Sequence, residues 1–204
     1  MLHILFEPLY HGTIVPFKRI DVSRGKGRRD FGRGFYMAVS ADQAIGMMHK
    51  KFREALSRRR DARASDFQKT LYRIRLKPEV VDTLKVKTFA AADMEWLDFI
   101  LMCRASEGVP HDYDLVVGPT ADDDTMMALK FYHDGAYGMP GSATAKSLLL
   151  QVLETENLGV QCHVGKQSVA DRVVASMEEV DGEPSHAEEL YMEAIDLNPS
   201  DIRP

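Results

Sequence analysis

Long apolar runs are missing from this chain of 204 residues. None approaches the roughly 20 residues that a membrane-spanning helix needs, so no transmembrane segment is expected. The opening stretch, MLHILFEPLYHG, has no basic cluster and breaks at Pro8. It does not read as a secretory signal, and a cytoplasmic protein with no membrane partner is the expectation. Cysteine is scarce. Cys103 and Cys162 lie far apart without ligand spacing, so they read as buried, reduced thiols. Cys162 and His163 are adjacent, but strand neighbours point to opposite faces, which argues against a shared metal; none is expected. Phosphate-binding P-loop, dinucleotide glycine fingerprint, nucleophile elbow and zinc-protease helix are all absent. Asp30-Phe31-Gly32 matches the kinase metal-binding triplet, but no nucleotide loop, strand lysine or catalytic loop accompanies it.

What is present is an ordinary globular composition, 45% hydrophobic and 28% charged, enough for one sizeable core. Charge is divided unevenly. Up to Val80 there are 18 basic and 8 acidic residues; beyond it there are 8 and 23. Two readings stay open: solvated faces that partly neutralise each other, or a basic groove for a phosphate-bearing ligand or nucleic acid.

The pattern predicts an irregular alternation of strands and helices, hence an α+β fold. Strands are expected at Leu9–Gly12, Phe35–Met37, Gln68–Leu76, Leu84–Phe89, Asp114–Gly118 and Gly159–Val164. Helices are expected at Asp42 to about Arg60, Ala92–Ser106, Asp122–His133, Thr144 to about Glu154 and Lys166 to about Met177. Trp96, Leu97, Phe99 and Ile100 read as core, with Glu95 and Asp98 available to pair with the basic loop. Residues 1–180 are read as one domain. Residues 181–204 are read as a linker and an acidic helical tail that packs back or docks a partner.

The chain is organised around Arg29 to Ser40, RDFGRGFYMAVS. Gly32 and Gly34 flank Arg33 and allow close backbone approach. Phe35 and Tyr36 follow on a short strand, and Ser40 is a helix start. Upstream, LYHGT ends a strand with a histidine. Anion contacts from arginines, an aromatic platform and bare backbone together suit a ligand pocket.

LYHGT, RDFGRGFYMAVSADQA, EWLDFI, YDLVVGPTADDD and ENLGVQCHV, in that order, resemble an uncharacterised bacterial family of the ADP-ribosyltransferase superfamily, on the diphtheria-toxin and poly(ADP-ribose) polymerase side. The resemblance covers about Leu9 to Val174. It implies a split pair of small, mainly antiparallel sheets with flanking helices, and NAD⁺ as co-substrate in the cleft between them. It implies NAD⁺ contacts from His11, Gly12, Thr13, Arg29, Arg33, Gly34, Phe35 and Tyr36, with catalysis carried by Gln161, Tyr36 and His11. His11 would hold the adenosine-side ribose, Gly12 would leave backbone room for the nicotinamide amide, and Tyr36 would stack on nicotinamide.

The third strand of such proteins usually carries a glutamate; here the position is Gln161. A neutral amide can orient a ribose but gives less help to a developing cation. Asp122 or Asp123 could supply a carboxylate instead. Gly159, two residues earlier, does not match arginine-specific relatives. The implied activity is mono-ADP-ribosyl transfer to a protein or nucleic acid, of the kind found in toxin–antitoxin and defence systems, with an antitoxin-like partner. The alternatives are an inactive NAD⁺, ADP-ribose or partner-binding module, and a nucleic-acid binder using Arg58, Arg59 and Arg60.

Overall fold

The computed structural model describes residues 2–58, 61–121, 123–153 and 158–181, with the backbone alone for 123–126. The strands are β1 (Leu9–Thr13), β2 (Phe35–Ala38), β3 (Thr70–Leu76), β4 (Val86–Thr88), β5 (Leu115–Pro119), β6 (Val160–Val164) and β7 (Val174–Val180). The helices are α1 (Ala41–Arg58), α2 (Pro78–Val81), α3 (Met94–Arg104), α4 (Asp123–His133), α5 (Ala143–Val152) and α6 (Gln167–Val173). The fold is α+β. Among the described residues no helix is long and apolar enough to cross a membrane.

The strands form one mixed sheet in the order β4-β5-β6-β2-β1-β3-β7, with only β4 and β5 parallel. Pairing is not even across it. β1 pairs with β3 along its whole length, from Leu9↔Ile74 to Thr13↔Thr70, and β2 pairs with β6 from Phe35↔Val164 to Ala38↔Gln161. Between β1 and β2 the single registered pair is Tyr10↔Ala38. Two groups of strands, β4-β5-β6-β2 and β1-β3-β7, are thus joined at a pinch. Where the family resemblance implies two separate small sheets, one ladder runs through.

Alternation along the strands builds the core. Leu9, Phe35, Met37, Ile74, Leu115, Val117, Cys162 and Val164 bury one face together with α6. On the other face, Val116 packs with Phe31, Trp96, Leu97, Ile100, Leu129 and Leu149 from the helical layer, and Tyr36 lies against the same group. Ala44, Ile45 and Met48 of α1 cover Leu71, Tyr10 and Ala38. Cys162 and His163 do face opposite ways, and burial pushes the thiols of Cys103 and Cys162 up to about 12.

Two expectations are corrected. The helix predicted over Lys166–Met177 ends at Val173, and the chain continues as β7. A helix through this segment would leave the outer edge of β3 unpaired. As a strand it pairs from Leu71↔Val180 to Leu76↔Val174, and Arg73 meets Glu178 at 2.9 Å across the pair. Glu95 and Asp98 do not reach the basic loop: Glu95 pairs with Lys87 of β4, and Asp98 with Lys146 of α5 at 2.6 Å. Short α2 was not foreseen; Pro78 occupies its first turn, where its missing N–H leaves nothing unsatisfied.

Candidate functional site

The segment Arg29–Gly34 is held down from every side. Asp30 is only 6% exposed. Its carboxylate pairs with Arg104 of α3 and accepts from the Ala121 backbone N–H at 2.9 Å and from Gln161 Nε2 at 2.8 Å. Phe31 is fully buried, and its N–H donates to the Tyr36 hydroxyl at 3.0 Å. That hydroxyl donates to the Gly32 carbonyl at 2.6 Å. His111 Nε2–H donates to the Phe31 carbonyl at 3.0 Å, and His163 Nε2–H to the Arg33 carbonyl at 3.1 Å. Gly32 sits at φ +86°, a region a side chain would disfavour, which is why the turn needs glycine there. The segment is a clamped turn, and the exposed side chains of Arg29 and Arg33 project from it.

Tyr36 and Gln161 lie on the same face of neighbouring antiparallel strands. Tyr36 registers with His163 and Ala38 with Gln161, so the two side chains are diagonal neighbours, on the order of 7–8 Å apart by sheet geometry. The Tyr36 ring tilts against His163 at 4.8 Å between centroids. Burial, reinforced by Asp30, raises its phenol well above the ordinary value, so it stays protonated. Gln161 is 7% exposed. With Nε2 committed to Asp30, its amide has Oε1 left to offer a ligand.

His11 belongs to the opposite face, stacked on Phe35 at 4.4 Å and edge-on to Phe17 at 5.7 Å. Just past the pinch its Nδ1–H donates to the Tyr36 carbonyl at 2.7 Å. A side chain thereby replaces the next rung of the ladder. The carbonyl can only accept, so Nδ1 carries the proton and Nε2 is the bare acceptor. Burial, then the nearby charge of Lys51, lowers His11 to about 4. It is neutral at physiological pH.

The other residues expected at the ligand have structural occupations. A Cβ on Gly12 would lie 2.1 Å from the Ala44 carbonyl oxygen, so the bare backbone admits α1. A Cβ on Gly34 would lie 2.2 Å from His163 Nε2, so this glycine admits the imidazole of β6. Phe35 is a core side chain at 8% exposure, on the face away from Tyr36. The Thr13 hydroxyl bonds within its own turn, to Val15. Arg33 Nε–H donates to the Gly25 carbonyl at 3.0 Å. Asp122 and the side chain of Asp123 lie outside the described residues, as do Arg59, Arg60 and the tail from 182. Arg58, the remaining member of that cluster, pairs with Glu54 at 3.0 Å.

Asp30 was passed over in the sequence because its triplet suggested only a kinase. The signal available was a lone acid in a basic stretch that was expected to meet an anion. Lys51 was likewise missed. It projects from α1 toward Gly12, with Nζ 3.5 Å from the Gly12 carbonyl oxygen. Among the described residues no group of three or more His, Cys, Asp and Glu is arranged to hold a metal ion. A recess of about 250 Å³ between residues 18–20 and α6–β7 lies apart from these side chains, and its charges, Arg19 and Asp171, pair with each other at 2.7 Å.

Residues 8–172 match the family described as protein of unknown function (DUF3990), and the chain belongs to that family. No match was found among curated proteins or among solved structures.

Proposed function

We propose that this member of the DUF3990 family is an NAD⁺-dependent mono-ADP-ribosyltransferase acting on a protein or nucleic acid in the cytoplasm. The observation that carries the reading is the junction of β1, β2 and β6. There Tyr36 and Gln161 share a face, and His11 is bonded to Tyr36 where the ladder narrows to one pair. The sheet is continuous, and its narrowing to one registered pair at that point is the feature that relates it to the split, cleft-bearing fold that the sequence resemblance implies. In this reading nicotinamide lies against Tyr36, Gln161 Oε1 accepts a ribose hydroxyl on the same face, His11 acts from the other face by holding the Tyr36 carbonyl, and Arg29 faces the phosphates. The bond between nicotinamide and C1′ of its ribose breaks, an acceptor nucleophile bonds to C1′, and neutral nicotinamide leaves with the bonding electron pair. Tyr36 and Gln161, fixed on one face, would hold nicotinamide and its ribose as positive charge grows on the sugar. A toxin–antitoxin or defence setting, with an antitoxin-like partner protein, belongs to the same proposal.

The test is incubation with NAD⁺ labelled in the adenylate half, in the presence of cell extract. Label should enter macromolecules and nicotinamide should be released, and both signals should fall at least tenfold in Tyr36→Ala and in His11→Ala. Such losses correspond to about 1.4 kcal/mol or more of transition-state binding. Full activity in Tyr36→Ala would overturn the assignment.

One feature favours the second reading, an inactive NAD⁺ or ADP-ribose module. Gln161 is neutral, and the carboxylate beside it, Asp30, is already paired with Arg104. Tight NAD⁺ binding by calorimetry without nicotinamide release would select that reading.

A further inference from the structure

The face that carries Gln161 is closed at one end by a side chain from another element. The antiparallel register of β5 and β6 runs one pair beyond Pro119↔Val160, where the Thr120 N–H donates to the Gly159 carbonyl at 2.8 Å. Gly159 therefore lies two positions before Gln161 on the same face, about 6–7 Å away along the strand. It is bare, and Gln43 from the first turn of α1 fills the space above it. A Cβ on Gly159 would lie 2.6 Å from Gln43 Cδ and 2.7 Å from both Nε2 and Oε1, so the amide lies face-on to the glycine. The Thr120 hydroxyl donates to the Gly159 carbonyl at 2.6 Å. Toward Gln43 it can then only accept, and it takes the Nε2–H at 3.1 Å. That fixes Oε1 as the other end of the amide. Oε1 is buried, and among the described residues no donor reaches it.

We infer that the Gln43 side chain is a strap laid over the Gly159–Gln161 end of the sheet, and that it swings off to let a ligand reach Gln161. Gln161 is buried, so a ligand on this face needs a neighbour to move. Asp30 is the costly one to move, because it is held by the buried pair with Arg104 and by the Ala121 N–H. Gln43 is held to Thr120 by one neutral hydrogen bond. Seating it leaves a buried acceptor unpaired, which costs at least as much as one such bond returns. Swung outward, both ends of the amide reach water, while the Thr120 hydroxyl keeps its bond to Gly159. Gln43 is partly exposed and stands in the first turn of its helix, so the side chain can turn out without moving α1. The inference rests on the proposed function for the identity of the ligand, and it adds to that reading a residue that controls entry.

The full chain is titrated with NAD⁺ by calorimetry, with thermal unfolding as a check on folding. Gln43→Ala removes the strap, and Gly159→Ala wedges it off while leaving Gln43 in place. Each should tighten NAD⁺ binding by about threefold or more, because no closed fraction then holds the affinity down. The double variant should bind no tighter than the better single one, since both changes remove the same closure. A purely structural tie would give the opposite sign, weaker binding with lower stability. A folded Gln43→Ala or Gly159→Ala protein that binds NAD⁺ no better than the wild type overturns the strap. A second measurement needs no nucleotide. In a Gln161→Cys background, maleimide modification is counted above that of the wild type, whose two free cysteines are buried. Adding Gln43→Ala should speed it by about threefold or more, and equal rates overturn the strap. The two proposals fail separately. Faster modification with no NAD⁺ binding by any of the proteins keeps the strap and sinks the nicotinamide reading. Binding of NAD⁺ that needs Tyr36 and is unmoved by both strap variants does the reverse.

Discussion

Asp30 shows how much one side chain can fix. Its carboxylate, 6% exposed, ties α3 through Arg104, the end of β5 through the Ala121 N–H, and β6 through Gln161. It thereby anchors the turn from which Tyr36 emerges and sets which end of the Gln161 amide faces outward. The charge itself is largely balanced by Arg104, so Asp30 positions Gln161 rather than acting as a substitute for a glutamate there. Replacing it by asparagine leaves a buried guanidinium without its carboxylate. Breaking a buried pair in this way destabilises by about 3–5 kcal/mol. Denaturant unfolding of Asp30→Asn should show a loss of that order. Adding Arg104→Met should recover a good part of it, since the second change removes the charge left behind. A double variant as unstable as the sum of the two singles would show that the pair is not the source.

At the scale of elements, the glycines that suggested a ligand turn out to serve packing. Gly12 faces α1, where an added Cβ would meet the Ala44 carbonyl oxygen at 2.1 Å and Met48 Cβ at 2.8 Å. Both are part of a helix that cannot yield locally. Gly12→Ala should therefore push α1 away from β1 and lower stability by roughly 1–3 kcal/mol, the range for overpacking, as read from urea midpoints. An unchanged midpoint would mean the helix is loosely seated. The same limit explains what the sequence could convey. Positions of β1, β2, β3 and β6 were legible because alternation and glycine breaks are local signals. The course of α1 was legible from Ala44, Ile45 and Met48 at helical spacing. β7 was not, because VASMEEV has no strong alternation. It is a strand because β3 offers an edge and Arg73 a partner for Glu178, and neither is visible in a short window. The contact between Asp30 and Gln161 spans 131 positions and could not be read at all. Ending the chain after Val173 tests β7 directly. It strips β3 of a partner along Leu71–Leu76 and exposes an unpaired edge. Loss of the folded circular-dichroism signal, or aggregation on gel filtration, is the expected result. A monomeric, cooperatively folded product would show that β7 is dispensable.

Over the molecule as a whole, the buried imidazoles set how stability responds to acid. Burial lowers both His11 and His163 to about 4, and it lowers His111 as well. In the unfolded chain each would titrate near its ordinary value of about 6.5. Between about pH 6.5 and pH 4 the unfolded chain therefore takes up protons that the folded chain refuses. Stability must fall as pH drops through that window, and the stabilisation is fully present above it. His163 is wholly buried, with no hydrogen-bond partner at Nδ1, so nothing in the fold compensates a second proton there. Its contribution is about 3 kcal/mol at neutral pH, vanishing by about pH 4. His163→Gln keeps an N–H to offer the Arg33 carbonyl but cannot titrate. Unfolding free energies of the two proteins, measured at intervals from pH 7 to pH 4, should converge as acid is added, because only the wild type loses this stabilisation. Carboxylates such as Asp30 contribute to both curves and cancel in the difference. Parallel curves would mean that His163 is not the titrating group, and the acid response would then have to be sought at His11, whose ring joins the two groups of strands at the pinch.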